Sequence, residues 1–428
     1  MPEKKAAQDA QTIATLTTEV AVVGAGLSGL TLAAALGGAG VETVLVERSP
    51  LDRLDGTRHD SRTTAIAFGS KRALDAIGVW ARLAPDAQPI LEIRVSDGRP
   101  GGFTSSLFLH YDHAEVGTDP LGHIAENHLI RRALMQRIRQ CPSVRVLAPA
   151  VVERLDNRAD GADLALDDGR IVRCQLVAAA DGSASPLRTM AGIKVSGHRY
   201  GQTALICNVA HERPHGAIAH ERFLPGGPFA ILPMTDDPRA AFPHRSSVVW
   251  SEAAEAAAGF AALDDAAFLE ALRLRFTDFM GDLALASPRG AYPLALHMAH
   301  SYGTGRVVLV GEAAHAIHPI AGQGLNMGWR DIAALAEEIV DARRLGLDVG
   351  RPQLLAAYQA RRRADNLVLA TVTDALNRLF SNDIGPVRAA RDLGLAAVNR
   401  LPPVKRVLMR HAMGVLGGQS RLVRGKRL

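Results

Sequence analysis

The chemistry open to this chain starts from three glycines. Gly24-Ala25-Gly26-Leu27-Ser28-Gly29 stands between a short apolar run, Val20-Ala21-Val22-Val23, and an Ala/Leu-rich stretch. In such a strand–turn–helix unit the first glycine permits a tight turn. The second lets the backbone approach a pyrophosphate, and the third lets the helix pack closely on the strand. The helix N-terminus adds unpaired N–H groups and a partial positive charge. Glu47 falls 23 residues after Gly24, at the end of the next apolar run, Val44-Leu45-Val46. A carboxylate there can bond ribose hydroxyls. Strand, loop, helix and acid together point to a dinucleotide site. A glycine-rich turn in an ordinary βα unit is the alternative, and the motif alone does not separate FAD from NAD.

Other candidates are less specific. His315 and His318 could relay protons, but their small-residue setting calls for tight packing, so satisfied structural imidazoles are expected. No third ligand lies nearby in sequence, and no metal site is expected. Phe223 and Trp250 could line an aromatic pocket, although an apolar strand residue more often serves the core. Asp181 ends an apolar strand and could simply cap the next turn.

The elements that must position these residues are legible from periodicity. A helix is expected from about Leu27 to Leu36, closed by Gly37, Gly38 and Gly40. Asn127 to Arg139 carries an i, i+4, i+8 stripe of Ile130, Leu134 and Ile138 and reads as a helix. Val144 to Val146, Asp163 to Leu166, Ile171 to Ala180 and Arg306 to Val310 read as strands. Asp167-Asp168-Gly169-Arg170 is the hairpin turn before the third of these. Residues 195–292 look β-rich, interrupted by one alanine-rich helix near Ala253 to Phe276. Asn326 to Arg344 is a long helix, and the chain ends in Arg-rich helices.

Composition bounds the function. With 428 residues the chain exceeds a single core. Aromatic residues make up only 4%, which argues against a stacking platform for single-stranded nucleic acid. Three isolated cysteines, Cys141, Cys174 and Cys207, suggest neither a disulfide framework nor a zinc site and fit a reducing compartment. Met1 to Thr17 lacks the apolar core of a secretory signal and reads as a loose tail. No stretch is long and apolar enough for a spanning helix.

Three later segments narrow the reading. They are Ala179-Ala180-Asp181-Gly182, Gly311 to Pro319 (GEAAHAIHP), and Ala321-Gly322-Gln323-Gly324-Leu325-Asn326. With the first loop they resemble the class A flavoprotein aromatic monooxygenases, the group of para-hydroxybenzoate hydroxylase. Asp60 to Ile66, the segment Glu221-Arg222-Phe223-Leu224-Pro225 through Pro233, and Tyr358-x-x-x-Arg362 resemble the ubiquinone-biosynthesis hydroxylases within that group. The resemblance runs from about Thr18 to beyond Phe380.

It implies FAD as cofactor, with NAD(P)H as transient reductant and O₂ as co-substrate. Asp181-Gly182 would serve both dinucleotides. Gly311 and Glu312 would hold the ribityl chain, and Pro319 with Gly322 to Asn326 would lie beside the isoalloxazine ring. Arg62 corresponds to an arginine at the pyrophosphate. Glu47, Arg48, Asn127 and Arg131 complete the expected cofactor contacts. Phe223, Pro225, Trp250 and Pro319 are the expected substrate contacts. Glu312 departs from the aspartate usual in the family, and weaker flavin affinity is the expected cost of its extra methylene. The implied reaction is ring hydroxylation of a polyprenylated quinone precursor through a flavin C4a-hydroperoxide. No general base is assigned, since the flavin carries the chemistry.

The expected fold is α/β: a Rossmann-like FAD domain (18–90, 121–194 and 293–345), an inserted, mainly antiparallel β substrate domain (91–120 and 195–292), and a helical C-terminal segment (346–428). After Asp392 no acidic residue follows, while Val404, Val407, Leu408, Ala412 and Val415 recur at helical spacing among Arg and Lys. A basic amphipathic helix at an anionic membrane is one reading. A helix packed on the flavin domain or on a quinone-biosynthesis partner is the other. A cytoplasmic location, peripheral on the inner membrane face, goes with the first. Two further alternatives stay open. One is a small phenolic acid as substrate, bound by Arg222 or Arg245. The other is a non-catalytic scaffold, for which Glu312 is the only support.

Overall fold

The computed structural model describes residues 14–57, 60–102, 108–381, 391, 394, 396–417 and 419–428. Its first layer is a sheet whose parallel core runs in the order Val307–Leu309, Ile171–Ala179, Thr15–Val23, Thr43–Val46, Val144–Leu147. Val307–Leu309, Thr43–Val46 and the C-terminal halves of Thr15–Val23 and Ile171–Ala179 are buried on both faces, as helix-covered parallel strands are. The helices Leu27–Gly38 and Gln323–Arg344 pack on this sheet and on each other, with Trp329 Nε1 donating to Thr31 Oγ1 at 3.0 Å. Thr15–Thr17, expected in a loose tail, extend the first strand, because Thr15, Leu16 and Thr17 find partners in Ile171, Val172 and Arg173. Residues 1–13 lie outside the described residues.

The second layer is a larger, mostly antiparallel sheet. It contains Val195–His211, Ile218–Leu224, Gly227–Met234, His244–Ala253 and Gly290–Ala299, with Glu92–Asp97 and Leu109–Asp112 at one edge. Residues 293–299, placed with the flavin domain by sequence, belong to this sheet through the strand Gly290–Ala299. The expected single alanine-rich helix is two, Ala254–Ala262 and Asp265–Phe276. The break falls where Asp264 caps the second helix, accepting from Ala267 N at 2.8 Å. These helices cover one face of the sheet. The other face meets the flavin domain through Ala65, Ile124 and Ile320.

The helix Pro352–Phe380 then crosses both layers. The helix Pro402–Ala412 docks beside Leu121 and Phe68 through Met409. Leu422 and Val423 return to the main core.

Candidate active site

The glycine loop is built by close approach. Gly24 sits at φ +101°, and a Cβ there would lie 2.4 Å from the Ala180 carbonyl oxygen. A Cβ on Gly29 would lie 1.8 Å from the Gly24 carbonyl oxygen. A Cβ on Gly26 would meet nothing within 4 Å, so this glycine opens on free space. Gly26 is also the N-cap of the helix Leu27–Gly38, where it supplies no side-chain cap. The first N–H groups therefore face that space, as an approaching pyrophosphate requires. One Glu47 oxygen accepts from Ala25 N at 2.7 Å and the other from Ser49 N at 2.8 Å. A carboxylate has about four lone-pair sites, so capacity for a ribose diol remains.

A cationic wall stands beside this loop. Arg62 pairs with Asp60 at 2.7 Å and lies over the Tyr292 ring at 5.6 Å. Arg131 stands in the field of Asp60, Arg62 and Glu47, and burial pulls its pKa down. It makes no hydrogen bond or ion pair among the described residues, an uncommitted cation where a diphosphate would need one. Asn127 accepts from Thr64 Oγ1 at 2.6 Å, and its N–H bonds the Arg62 carbonyl at 2.9 Å. Arg48 is exposed at the same strand end as Glu47.

The second loop closes on the first. Gly311 adopts φ +59°, and a Cβ there would press on Ser28 Oγ at 2.7 Å. Glu312 projects outward, exposed, and its charge acts on Arg62. Gly322 is in the left-handed region and caps the helix Gln323–Arg344 without a side-chain bond. A Cβ on Gly324 would meet nothing within 4 Å. This second open helix start offers the partial positive charge that an electron-rich flavin edge would need. Asn326 holds the loop by its backbone. It accepts from Ala67 N at 2.9 Å and donates to the Ala65 and Gly322 carbonyls at 2.7 and 3.0 Å. Gln323 reaches the Ala412 carbonyl at 3.5 Å, tying the loop to the last helix. Pro319 accepts from Gly322 N at 2.9 Å within the turn, and Leu325 packs against the main core.

Asp181 performs the local role left open by sequence. It accepts from Ser185 Oγ and, at 3.0 Å, from Leu187 N. Gly182 follows at φ +88°. The residues present fit FAD on three observations: the open Gly26 cradle, the uncommitted Arg131, and the uncapped helix at Gly322.

The two histidines differ from one another. His315 bonds Asp331, which also accepts from Arg362 Nε at 2.8 Å and Asn366 Nδ2 at 2.9 Å. Burial alone would raise the Asp331 pKa, but these partners hold it below the usual carboxylate range. This network is the satisfied structural imidazole expected. His318 differs: it is fully buried, neither ring nitrogen has a partner among the described residues, and the ring lies edge-on to Tyr200 at 5.0 Å. Burial lowers its pKa to about 4, so the ring is neutral.

Of the expected substrate contacts, Phe223 faces the flavin loop, stacked on Phe380 at 4.0 Å and clustered with Ile320. Pro225 sits in the turn that follows. Trp250 is corrected. It lies on the opposite face among Phe229, Phe260 and Phe268, with the Arg275 guanidinium 3.8 Å above it. Strand alternation is the reason, since neighbouring positions point to opposite faces. The same alternation turns Glu221 toward the flavin side, which its place in a strand segment does not reveal without the sheet's packing.

A model described as "FAD binding domain" matches residues 17–371. The chain is 48% identical over 398 residues to "Ubiquinone hydroxylase UbiL" of Rhodospirillum rubrum, covering 93% of this chain and 90% of that protein. It is 32% identical to the 3-demethoxyubiquinol 3-hydroxylase of Escherichia coli, covering 93% and 99%. The fold is similar to that of the p-nitrophenol 4-monooxygenase PnpA of Pseudomonas putida, with a TM-score of 0.75, 22% identity, and coverage of 94% and 99%. The chain therefore belongs to the FAD-dependent aromatic monooxygenases, in the branch of the ubiquinone-biosynthesis hydroxylases.

Proposed function

We propose that this enzyme hydroxylates the aromatic ring of a polyprenylated ubiquinone precursor, using O₂ and NAD(P)H. One observation carries the substrate class. The sheet face turned toward the flavin loop is apolar along Val249, Ala230 and Val95, with Glu221 as the one carboxyl in that row, and the two arginines that could bind an acidic phenol are engaged elsewhere. Arg222 points to the helix-covered face and donates to the Arg275 carbonyl. Arg245 donates to the Thr235 carbonyl at 2.9 Å and lies 3.6 Å from Glu126. A prenylated ring suits such a wall better than a small carboxylated phenol.

Bound FAD would supply the oxygen-activating chemistry. Gly24 to Gly29, with Glu47, Arg48, Arg62 and Arg131, would hold its adenosine and diphosphate half, with Asn127 near the flavin. Asp181, Gly182, Gly311 and Glu312 would serve the ribityl side, and Pro319 with Gly322 to Asn326 the ring. The apolar wall and the packed loop would exclude water from the reacting centre.

Peripheral membrane contact belongs to the same reading. The helix Pro402–Ala412 buries Met409 and pairs Lys405 with Glu115 at 2.6 Å. Its other face leaves Leu401, Val404, Val407 and Leu408 exposed beside exposed Arg400, Arg406 and Arg410. Among the described residues no helix is long and apolar enough to cross a membrane. Exposed apolar side chains rimmed by arginines suit an anionic bilayer surface, where a prenylated substrate resides. Contact with other quinone-biosynthesis enzymes is compatible with the same face.

Expression in strains lacking individual ring hydroxylases, with quinone intermediates read by mass spectrometry, tests the assignment. Rescue of one strain is expected and names the carbon. Rescue of none would remove the ubiquinone reading. NAD(P)H consumption stimulated by soluble phenols but not by a prenylated phenol would favour the smaller substrate instead.

A further inference from the structure

The strand Ile218–Leu224 turns alternate residues to opposite sides. Ala219 packs with Ala65 and Ile124, and Phe223 packs with Ile320 of the flavin loop. Glu221 lies between them and shares their face. Its register partners are Val95 and Ala230, and Ala230 is paired with Val249. The row Val95–Glu221–Ala230–Val249 is thus apolar except for one carboxyl.

That carboxyl makes no hydrogen bond or ion pair among the described residues. The residue keeps partial exposure, and the enclosing protein pushes its carboxyl pKa up to about 8. The charged groups around it have other partners. Asp97 pairs with Arg391 at 2.7 Å, Arg245 with Glu126 at 3.6 Å, and Arg62 with Asp60 at 2.7 Å. His220 and Arg222 point to the opposite face, against Phe279 and the Arg275 carbonyl. An unpartnered carboxyl in an apolar wall is costly, and an aliphatic side chain there would stabilise the fold. Such a group is expected where it has a ligand to meet.

We propose that Glu221 hydrogen-bonds an oxygen substituent of the substrate's aromatic ring and thereby sets which ring carbon faces the flavin loop. The inference rests on the aromatic-ring reading above. A neutral carboxyl both donates and accepts, so it can engage a phenolic hydroxyl or a neighbouring alkoxy oxygen. The aliphatic neighbours on either side fit the ring's unsubstituted edge and its prenyl chain. No covalent step is involved.

The test uses the full-length, FAD-loaded protein with two probes, 2-geranylphenol and geranylbenzene, which differ by one oxygen. In the unmodified enzyme the phenol is expected to bind about tenfold more tightly. In Glu221→Leu that preference should fall to about threefold or less, and hydroxylation of the phenol should spread over more than one ring position. Glu221→Gln, which keeps a donor and an acceptor, should restore most of the preference. A ratio near one in the unmodified enzyme overturns the proposal without any variant. So does an unchanged ratio with unchanged product positions in the leucine variant. A leucine variant that cannot hold FAD also overturns it, since the acid would then be serving the fold. If neither probe binds or is turned over, the functional reading itself fails. If the phenol is hydroxylated with the ratio unmoved by Glu221→Leu, only the role of Glu221 fails.

Discussion

Two carboxylates show how far a single residue type can be interpreted. Glu221 is held neutral by burial, with its pKa pushed from an ordinary 4.5 up to about 8. An acid with a raised folded-state pKa contributes its stability in full below the unfolded value. That contribution is lost as pH rises toward the folded one. The melting temperature of Glu221→Gln, compared with the parent, should therefore gain most between about pH 5 and about pH 8. A gap that stays constant over this window would show that Glu221 titrates normally. Glu312 makes a different case. It is exposed and acts on Arg62 across the loop, one methylene longer than an aspartate. Glu312→Asp should retain FAD at least as well as the parent on gel filtration. Glu312→Ala should lose affinity by about tenfold or more in a flavin fluorescence titration.

At the scale of elements, the three glycines of the first loop separate into two jobs. Gly29 is a packing residue, since a Cβ would stand 1.8 Å from a backbone oxygen. Gly26 is an opening, since a Cβ would meet nothing within 4 Å. Gly29→Ala should lower the melting temperature of the FAD-free protein. Gly26→Ala should change the stability of the FAD-free protein by less than about 0.5 kcal/mol while weakening FAD binding. Equal thermal loss in both would contradict this division. The join between the Gly311 loop and the helices Gln323–Arg344 and Pro352–Phe380 rests on Asp331 and its partners His315, Arg362 and Asn366. Removing one member of a buried charged network strands the others. Asp331→Ala should cost about 3–5 kcal/mol in denaturant unfolding.

For the whole molecule, the informative surface is the outer face of the helix Pro402–Ala412. Truncation after Leu401 would be a poor probe of it, because Leu422 and Val423 belong to the main core. Replacing exposed Val404, Val407 and Leu408 with glutamate should leave the fold intact and abolish flotation with liposomes containing anionic lipid. Flotation that persists, or that never occurs in the parent, would assign this face to a protein partner instead. Raising salt should weaken the parent's binding, since the arginines contribute through screened electrostatics.

Local pattern was enough to identify much of this protein. The Gly24–Gly29 loop, Glu47 and the parallel strands could be read in order, because a buried strand, a tight turn and an amphipathic helix each impose a short-range rule on residue type. The flavin assignment came from three separated motifs in sequence order. What local pattern could not convey was which residues meet. Phe223 and Trp250 look alike as strand aromatics. Only the sheet's packing put one beside Ile320 and the other under the helices. His315 and His318 share a segment, but a partner 16 residues away satisfies one, while the other has none among the described residues. Lys405 reads as part of a basic face, whereas the fold buries it against Glu115. Residue type and spacing thus determined the proposed cofactor site, whose expected contacts come mostly from backbone and short loops. Tertiary structure alone brought together the row proposed as the substrate wall, because its members come from four strands whose register no single segment encodes.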